Sequence, residues 1–361
     1  MRYISPSLMC LEREDELAIQ FLCEKADYMH FDIMDSDFSS CSGLDPHLLE
    51  KFKNLCNPKF DVHIMSQIPL QHIKYCIKKR CDIISFHVES EVDIRASLDL
   101  IHNAGLMAGL AIKPDTNLDA LTPYLSYVDL INVMLVNPGP AGQDFQKREL
   151  NKVIELRKIR EKNNYKYLIE IDGSCNKKHF YDIDSVEPDI LVVGKSGLVD
   201  LDANIKIAWA KMQEYMTYKP MIYLHADLVG STLKNIVKEW LVAEGFSVQD
   251  LYTNGNAEYP ECARELSYWV NKDKCNKGIL FCGTGIGMSI VANKVKGIRA
   301  AVVTDCYSAK MAREHNDANV LCLGSRVVTP QIGIPIVQTF LNSNFLFGKH
   351  APRVDRFEET K

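Results

Sequence analysis

The sequence contains no Cys-x-x-Cys pair, although 12 of its residues are cysteines. Scattered cysteines without that spacing argue against a zinc ribbon or a disulfide framework, and they favour a reducing compartment. No apolar run approaches the roughly 20 residues that cross a membrane as a helix, so we expect no membrane partner. Strand-like sequence begins at once with Tyr3-Ile4-Ser5, and we therefore expect no signal peptide and a cytoplasmic location.

The sequence also lacks an excess of positive charge. The net charge is −5 and there is no long basic run, which makes nucleic acid an unexpected partner. With 47% hydrophobic and 25% charged residues, the composition is that of a globular protein with ordinary cores. A chain of 361 residues is long for one domain, and we expect two.

The first part of the chain alternates short apolar runs with amphipathic helical stretches. The runs recur at roughly 20–35 residues, which is the spacing of a (β/α)8 TIM barrel. The eight predicted strands are residues 2–8, 28–34, 60–65, 83–88, 106–112, 130–136, 167–172 and 190–193. We expect this barrel to occupy residues 1–217, with a closing helix at residues 205–216.

Polar side chains cluster at the carboxyl ends of these strands, where barrels of this type build their sites. Alternation along a strand places His30 and Asp32 on one face, toward the barrel axis, and His63 and Asp172 occupy the same place on later strands. Buried charge is costly unless it is paired or bound to metal. Two imidazoles and two carboxylates therefore predict a site for one divalent cation, unless each is simply a hydrogen-bonded barrel residue.

Glycine-bearing turns follow the last three predicted strands. Backbone N–H groups of glycine can approach an anion closely, and late loops of a barrel commonly hold a phosphate group. The alternative is that these are only tight turns between strands and helices. The expected contacts are Gly139, Gly142, Gly173, Ser174, Gly194 and Ser196.

A joint at residues 217–220 contains a proline and little apolar sequence, and a second α/β alternation follows it. Its strand-like runs are residues 221–226, 248–252, 278–282, 299–303 and 320–323. We predict a doubly wound three-layer α/β/α domain over residues 221–361, built on a five-stranded parallel sheet. Sheets of this kind bind ligands beyond the carboxyl ends of their strands.

A cysteine ends the third of these strands and begins the glycine-rich segment Cys282-Gly283-Thr284-Gly285-Ile286-Gly287. A thiol beside free backbone N–H groups is driven toward thiolate, which can remove a proton next to a carbonyl. The neighbouring N–H groups and the Thr284 hydroxyl can then hold the enediolate oxygen. The alternative is a small buried cysteine packed beside a glycine.

Further groups extend this second candidate site. His315 lies at a predicted helix end and can protonate a ring oxygen, while Arg326, Lys349 and Arg353 can bind phosphate. Together with Cys282 they indicate a sugar-phosphate isomerase. The basic residues near the end of the sequence could equally form a solvated tail.

The barrel sequence resembles the ribulose-phosphate 3-epimerase superfamily over nearly its full length. The matching segments include Ser5-Pro6-Ser7-Leu8, His30-Phe31-Asp32-Ile33-Met34-Asp35, Asp61-Val62-His63-Ile64-Met65, Asn137-Pro138-Gly139 and Asp172-Gly173. Residues 5–10, 172–176 and 193–198 are most similar to the allulose-6-phosphate 3-epimerase branch. The resemblance implies that His30, Asp32, His63 and Asp172 bind the metal, and that the two aspartates also act as acid and base. It further implies that the site is lined by Ser7, Met34, Met65 and Met134, and we expect His63 to contact substrate as well as metal.

Residues 221–356 resemble ribose-5-phosphate isomerase type B and its allose-6-phosphate relatives. The resemblance rests on residues 279–301, 307–309, 313–320 and 324–327. It implies that Cys282 is the base, that Thr284 and the Gly283, Gly285 and Gly287 amides stabilise the enediolate, and that His315 opens the sugar ring. The implied substrate contacts are Asp227, Tyr259, Asn316, Arg326 and Arg353. In that family the site forms between two subunits, so the resemblance also implies a homo-oligomer, at least a dimer.

Two residues depart from the isomerase pattern. Leu228 stands where the family has a substrate-contacting histidine. Lys349 stands where it has an arginine, so a bidentate contact with the substrate is lost. The second domain can therefore be an active isomerase, or a sugar-phosphate sensor that regulates or dimerises the barrel.

We accordingly predict a bifunctional isomerase of small sugar phosphates. The barrel would hold one divalent cation (Zn, Mn, Fe, Co or Mg) and epimerise a 2-ketose phosphate, while the second domain would interconvert aldose and ketose without a cofactor. In the favoured hexose version, allose 6-phosphate becomes allulose 6-phosphate and then fructose 6-phosphate. In the alternative pentose version, ribose 5-phosphate becomes ribulose 5-phosphate and then xylulose 5-phosphate.

Overall fold

The computed structural model describes residues 2–11, 15–39, 41, 43–56, 58–140, 142–217, 220–251 and 257–358. The chain divides into two compact units, residues 1–217 and 218–361. Each unit has its own parallel sheet, with eight strands in the first unit and five in the second.

The first unit is a nearly closed barrel of eight parallel strands, which confirms the predicted fold class. The strands follow one another around the barrel, and the last pairs with the first. An isolated parallel bridge between Ser7 and His30 joins the first two strands. The strands are β1 (Tyr3–Pro6), β2 (Met29–Met34), β3 (Phe60–Met65), β4 (Ile83–His87), β5 (Met107–Ile112), β6 (Leu130–Met134), β7 (Leu168–Asp172) and β8 (Ile190–Val193).

Helices cover the outside of the barrel, with one exception. Between β5 and β6 the chain forms a 3-10 segment, Leu118–Tyr124, instead of an α-helix. This segment contains Pro123, which lacks the N–H that a helix interior requires. The helices are α1 (Glu16–Lys25), α2 (Leu48–Cys56), α3 (Leu70–Lys78), α4 (Ile94–Asn103), α5 (Leu150–Asn163), α6 (Phe180–Asp184) and α7 (Ile205–Met216).

Every residue of β2 and of β3 is buried, because both faces of these strands are covered. The outward residues are apolar, and the ring of Phe31 packs edge-on against Phe52 of α2 at a centroid distance of 6.3 Å. The alternate residues of the same strands, including His30 and His63, face the inside. Apolar packing outside the barrel thus holds the polar residues inside it.

The second unit is a three-layer α/β/α domain, also as predicted. Its strands are β9 (Ile222–Ala226), β10 (Val248–Asp250), β11 (Lys277–Cys282), β12 (Ala300–Val302) and β13 (Val320–Gly324), in the order β10-β9-β11-β13-β12. Its helices are α8 (Ser231–Ala243), α9 (Tyr259–Val270), α10 (Ile286–Ala292), α11 (Cys306–Glu314), α12 (Pro330–Asn342) and α13 (Ala351–Val354). One apolar cluster includes residues of α8, α11 and α12, and another includes residues of α9 and α10. Tyr252, predicted to end the second strand, lies outside the described residues.

Among the cysteines that the structure describes, ten are free thiols, whereas Cys23 of α1 is disulfide-bonded. The spacing of the cysteines along the chain did not predict that bond. Among the helices of the described residues, none is both long enough and apolar enough to cross a membrane.

Candidate functional sites

The four side chains predicted to bind metal converge at the carboxyl ends of β2, β3 and β7. Nε2 of His30 lies 3.2 Å from Oδ1 of Asp32 and 3.6 Å from Oδ2 of Asp172. Nδ1 of His63 lies 3.6 and 3.5 Å from the same two oxygens. The ligand atoms of a tetrahedral zinc ion, each at about 2.05 Å from the metal, are about 3.3 Å apart. The four atoms are therefore spaced as ligands of a single cation would be.

A second observation tests whether these residues fit a cation. Nδ1 of His63 is buried and has no hydrogen-bond partner, and its ring is fully buried. Buried polar atoms are nearly always satisfied, so this nitrogen requires a partner among the converging atoms. A cation would provide it. Two imidazole nitrogens and two carboxylate oxygens suit zinc, manganese, iron or cobalt, and suit magnesium less well.

The electrostatics of this cluster also favour a cation. Burial by itself would lower the pKa of His30, but the carboxylates of Asp32 and Asp61 raise that pKa well above its ordinary value. Burial would likewise raise the pKa of Asp32 and of Asp172, yet the nearby imidazoles of His30 and His63 hold both below their usual range. The carboxylates thus stay ionised, and protons on the imidazoles or a bound cation must balance them.

One layer deeper in the barrel lie polar residues whose role the sequence reasoning missed. Nδ1 of His30 is 2.6 Å from Oδ2 of Asp61, and the Ser5 hydroxyl donates to the same oxygen at 3.1 Å. An N–H at that position leaves Nε2 of His30 free for a metal. Burial and the charge of Asp61 raise the pKa of Glu170 well above its ordinary range. Asp61 and Glu170 stand two residues before His63 and Asp172, so period-two spacing could have revealed them.

Asp32 and Asp172 also line a cavity of about 310 Å³ at this end of the barrel. His63 was predicted to contact substrate as well as metal, but it is not among the lining residues. Cys10 and Lys195 line the cavity without having been predicted to do so. The predicted substrate contacts of the barrel that line this cavity are Ser7, Met34, Met65, Met134, Gly139, Gly142, Gly173, Ser174, Gly194 and Ser196.

The three late loops of the barrel are tied to one another around this cavity. The Ser174 hydroxyl donates to the carbonyl of Gln143, and the Asn176 amide donates to the Ser196 hydroxyl at 3.1 Å. Gly173 has φ +108°, and a Cβ there would lie 2.6 Å from a methyl group of Val136. Only glycine fits this turn, which lets the loop after β7 approach the loop after β6.

In the second unit, one group of predicted residues gathers between β9 and β11, where the strand order reverses. Cys282 is nearly buried at the end of β11, and its Sγ accepts a hydrogen bond from the N–H of Gly285 at 3.1 Å. Asp227, just after β9, accepts from the N–H of Gly230 at 2.8 Å. These contacts place a thiol and a carboxylate together at the carboxyl ends of two neighbouring strands.

Three more predicted residues surround the loop that follows Cys282. The Arg326 side chain is 3.7 Å from the position that a Cβ on Gly283 would occupy. The Tyr259 ring is 2.7 Å from the corresponding position at Gly287, so only glycine allows this contact. The Thr284 hydroxyl accepts from the N–H of Ile286 at 3.3 Å. A thiol, a carboxylate, a phenol and a guanidinium thus surround a glycine loop.

The remaining predicted residues lie at the opposite end of the strands, beside their amino termini. α11 begins after β12 and runs back, so His315 at its end lies beside the amino ends of the strands. The His315 ring stacks on that of His350 at a centroid distance of 4.1 Å. Desolvation and the charges of His315, Lys349 and Arg353 lower the pKa of His350, which places both basic residues nearby. Asn316, next to His315, lines a separate groove.

The two groups of predicted residues are separated by the length of β11. At about 3.3 Å per residue, the strand from Lys277 to Cys282 spans roughly 17 Å. The structure therefore does not bring His315, Asn316, Lys349 and Arg353 to Cys282 within one chain. The predicted site residues of the second unit thus form two separate groups within one chain.

Two family models match separate parts of the chain. The ribulose-phosphate 3 epimerase family matches residues 3–197, and the ribose/galactose isomerase family matches residues 222–357. The chain is 31% identical to the ribulose-phosphate 3-epimerase of Buchnera aphidicola over 226 residues, covering 62% of this chain and 98% of that protein. It is 46% identical over 140 residues to the probable ribose-5-phosphate isomerase B of Mycoplasma genitalium, covering 37% and 91%. It is 43% identical over 138 residues to the D-erythrulose-4-phosphate isomerase of Pectobacterium atrosepticum, again covering 37% and 91%.

Proposed function

The chain belongs to the ribulose-phosphate 3-epimerase family over residues 3–197 and to the ribose/galactose isomerase family over residues 222–357, and from this premise we propose that it catalyses two consecutive reactions on one sugar phosphate. The second domain interconverts an aldose phosphate and its 2-ketose. The barrel then inverts the configuration of that ketose at C3. The observation that carries the proposal is the convergence of His30, Asp32, His63 and Asp172 beside a cavity that the two aspartates line.

In the barrel, Asp32 and Asp172 form the acid/base pair. Inversion requires proton removal from one face of C3 and proton return from the opposite face. Two carboxylates from β2 and β7, both lining the cavity, can serve opposite faces, whereas one shuttling base would tend to restore the starting configuration. His30 and His63 hold the cation together with these aspartates. A bound divalent cation supplies Lewis-acid stabilisation of the negative charge that develops on the substrate oxygens.

Removal of the cation separates the two activities. Dialysis of the full-length protein against a chelator is expected to lower the epimerase rate by more than about 100-fold, because the developing charge loses its stabilisation. The isomerase rate should not change, since Cys282 chemistry needs no metal. Both rates are measured on the same sample before and after Zn²⁺, Mn²⁺ or Co²⁺ is added back. Epimerase activity that persists in protein shown to be metal-free would refute the metal assignment.

We assign the hexose version of the substrate to the barrel. The support is the similarity of residues 5–10, 172–176 and 193–198 to the allulose-6-phosphate branch, and all three segments contribute residues to the cavity. The alternative is the pentose version, which is favoured by the similarity to a ribulose-phosphate 3-epimerase and to a ribose-5-phosphate isomerase B. Assaying the full-length Cys282→Ala variant with allulose 6-phosphate and with ribulose 5-phosphate distinguishes them. A higher kcat/KM for ribulose 5-phosphate would assign the pentose pathway.

In the second domain, Cys282 transfers a proton between C1 and C2 of the sugar phosphate. The N–H groups of the glycine loop and the Thr284 hydroxyl stabilise the enediolate oxygen. Asp227 and Tyr259 contact the sugar, and Arg326 binds its phosphate. His315 protonates the ring oxygen, and Asn316, Lys349 and Arg353 complete the substrate contacts.

This assignment requires a second copy of the chain, because His315 and Cys282 lie at opposite ends of the strands. Each chain then carries two half-sites, one around Cys282 and one around His315. We infer a dimer in which the His315 half-site of one protomer meets the Cys282 half-site of its partner. Large apolar side chains near the Cys282 half-site are exposed, including Leu228, Ile286 and Val327. Such a concentration of exposed apolar surface is typical of an interface.

Mixing two inactive variants tests this arrangement. Cys282→Ala and His315→Ala are each expected to abolish isomerisation. If the site is shared between protomers, random exchange at equal concentrations should restore about a quarter of the wild-type sites, because each mixed dimer regains one intact site. Activity is measured after the subunits have exchanged, with each variant alone as control. No recovery in a mixture proved to contain mixed dimers would place both residues in one chain's site.

The alternative is that the second domain binds a sugar phosphate without turning it over. Leu228 favours this reading, because its exposed apolar side chain follows Asp227 where the family has a histidine. Turnover of an aldose phosphate by the full-length Asp172→Asn variant separates the two. Binding without turnover would identify the sensor.

A further inference from the structure

His63 is the first member of a chain of three side chains that leads away from the metal cluster. Its Nε2 lies 3.0 Å from Nε2 of His87, which ends β4. The two rings are stacked, with centroids 5.0 Å apart and planes inclined by 29°. Nδ1 of His87 lies 3.0 Å from Oε2 of Glu89. Both histidines are fully buried, so within the barrel each nitrogen depends on these partners.

The geometry allows one proton arrangement when His63 binds a cation. Nδ1 of His63 faces the cluster and must offer a lone pair to the metal. Its Nε2 must then carry hydrogen and donate to Nε2 of His87. His87 accepts at that nitrogen, so its own hydrogen lies on Nδ1 and is donated to Glu89. Each donor in the chain has one acceptor, and the last acceptor is a carboxylate.

Glu89 is itself held in place and kept ionised. Its Oε1 accepts from the backbone N–H of Lys113 at 2.9 Å. Burial disfavours the charge, but hydrogen bonds from His87 and neighbouring groups lower the pKa of Glu89 to about 2. Near neutral pH the carboxylate can therefore only accept hydrogen bonds. This determines the donor-to-acceptor direction of both hydrogen bonds, from His63 to His87 and from His87 to Glu89.

Aromatic packing keeps the middle of this chain in position. The ring of Phe38 packs on His87 at a centroid distance of 4.8 Å. The Lys113 ammonium lies 3.6 Å from the centroid of the same phenylalanine ring. The His87 ring is thus confined between His63, Glu89 and Phe38, and it has little freedom to rotate away.

The two metal-binding histidines are supported differently. His30 contacts the carboxylate of Asp61 directly, whereas His63 reaches a carboxylate only through a second histidine. A direct carboxylate on each histidine would add two anions to a buried site that already holds Asp32 and Asp172. Because the imidazole of His87 lies between Glu89 and His63, the Glu89 charge is one ring further from the metal. Through this imidazole, Glu89 still requires the Nε2 of His63 to act as a hydrogen-bond donor.

We propose that His87 and Glu89 are positioning residues of the barrel metal site, which hold His63 in the tautomer whose Nδ1 lone pair faces the cation. This inference rests on the proposed metal binding in the barrel. Partners of this kind orient a ligand, and their loss typically costs about 10–100-fold in metal affinity.

The test measures metal affinity of the full-length protein instead of its activity. Metal-free protein is titrated with Zn²⁺ in competition with a chromophoric chelator, and the Co²⁺ form is examined by visible absorption. His87→Leu removes the acceptor for His63 and is expected to weaken Zn²⁺ binding by about 10–100-fold and to change the Co²⁺ spectrum. His87→Gln offers a carbonyl oxygen to the same N–H and should bind within about threefold of wild type.

Two further variants complete the comparison. Glu89→Leu removes the terminal acceptor without altering either histidine, and it should also weaken Zn²⁺ binding. It provides the test if His87→Leu does not fold. His102→Leu disrupts another histidine–carboxylate contact, with Asp129 at 2.8 Å, on the outside of the barrel, and it should leave affinity unchanged. Wild-type protein that binds no Zn²⁺ would refute the metal site itself. Wild-type affinity in folded His87→Leu or Glu89→Leu would refute the positioning role alone.

Discussion

Replacement of Asp172 by asparagine is expected to abolish epimerisation at C3 and to leave aldose–ketose isomerisation intact. Asp172 contributes a carboxylate oxygen to the cation cluster and lines the cavity, so the variant loses both a ligand and half of the acid/base pair. General acid–base catalysis alone contributes about 10²–10⁴-fold, and we expect a loss of at least about 10³-fold. The rate is followed by NMR of the ketose phosphate in D₂O, with deuterium incorporation at C3 as the second observable.

The control is Asp99→Asn, which alters an exposed carboxylate paired with Arg95 on α4. It should retain both activities. Metal content of the Asp172→Asn protein distinguishes its two roles, because a loaded but inactive variant has lost the acid/base group rather than the cation. An unchanged epimerase rate in the Asp172→Asn variant would overturn the assignment of the barrel site.

Replacement of Cys282 by alanine is expected to have the opposite effect. The isomerase rate should fall by about 10³-fold or more, since alanine cannot accept the proton. The epimerase rate should stay at the wild-type value, because the barrel has its own acid/base pair. Aldose–ketose conversion and C3 epimerisation are measured separately on the same preparation.

Cys306→Ala provides the matched control, since Cys306 is an exposed cysteine at the start of α11. It should be indistinguishable from wild type in both assays. Isomerase activity that survives in Cys282→Ala would exclude Cys282 as the base and would require another group at the end of β11.

The fold could be predicted because local patterns and global architecture agree. All thirteen strands lie within two residues of the predicted bounds where the structure describes them, and α7 occupies Ile205–Met216 as expected. Strands buried on both faces produce continuous apolar runs, whereas apolar residues in the helices between them recur with the helical period. The 3-10 segment around Pro123 and the disulfide at Cys23 were not predicted.

The barrel site was largely visible in the sequence for a geometric reason. In a parallel barrel the carboxyl ends of all strands meet at one rim, so polar residues at those ends must approach one another. His30 and His63 illustrate this, since their inward position follows from strand alternation alone. Whether they bind a metal stays a prediction.

The contacts that these two histidines make could not be assigned from the sequence. The contact between His63 and His87 depends on the side-chain rotamers and tautomers of residues on two neighbouring strands. The contact between His30 and Asp61 depends in the same way on how β2 and β3 pair in register.

Short-range periodicity was enough to predict the architectures of the two domains, the strands that carry the polar residues and the face on which each residue lies. The folded structure was needed to show which atoms of His30 and His63 face the carboxylates, and that Cys282 and His315 lie at opposite ends of the strands of their sheet. These facts depend on strand register, helix direction and side-chain packing, which are set by contacts between residues far apart in the chain.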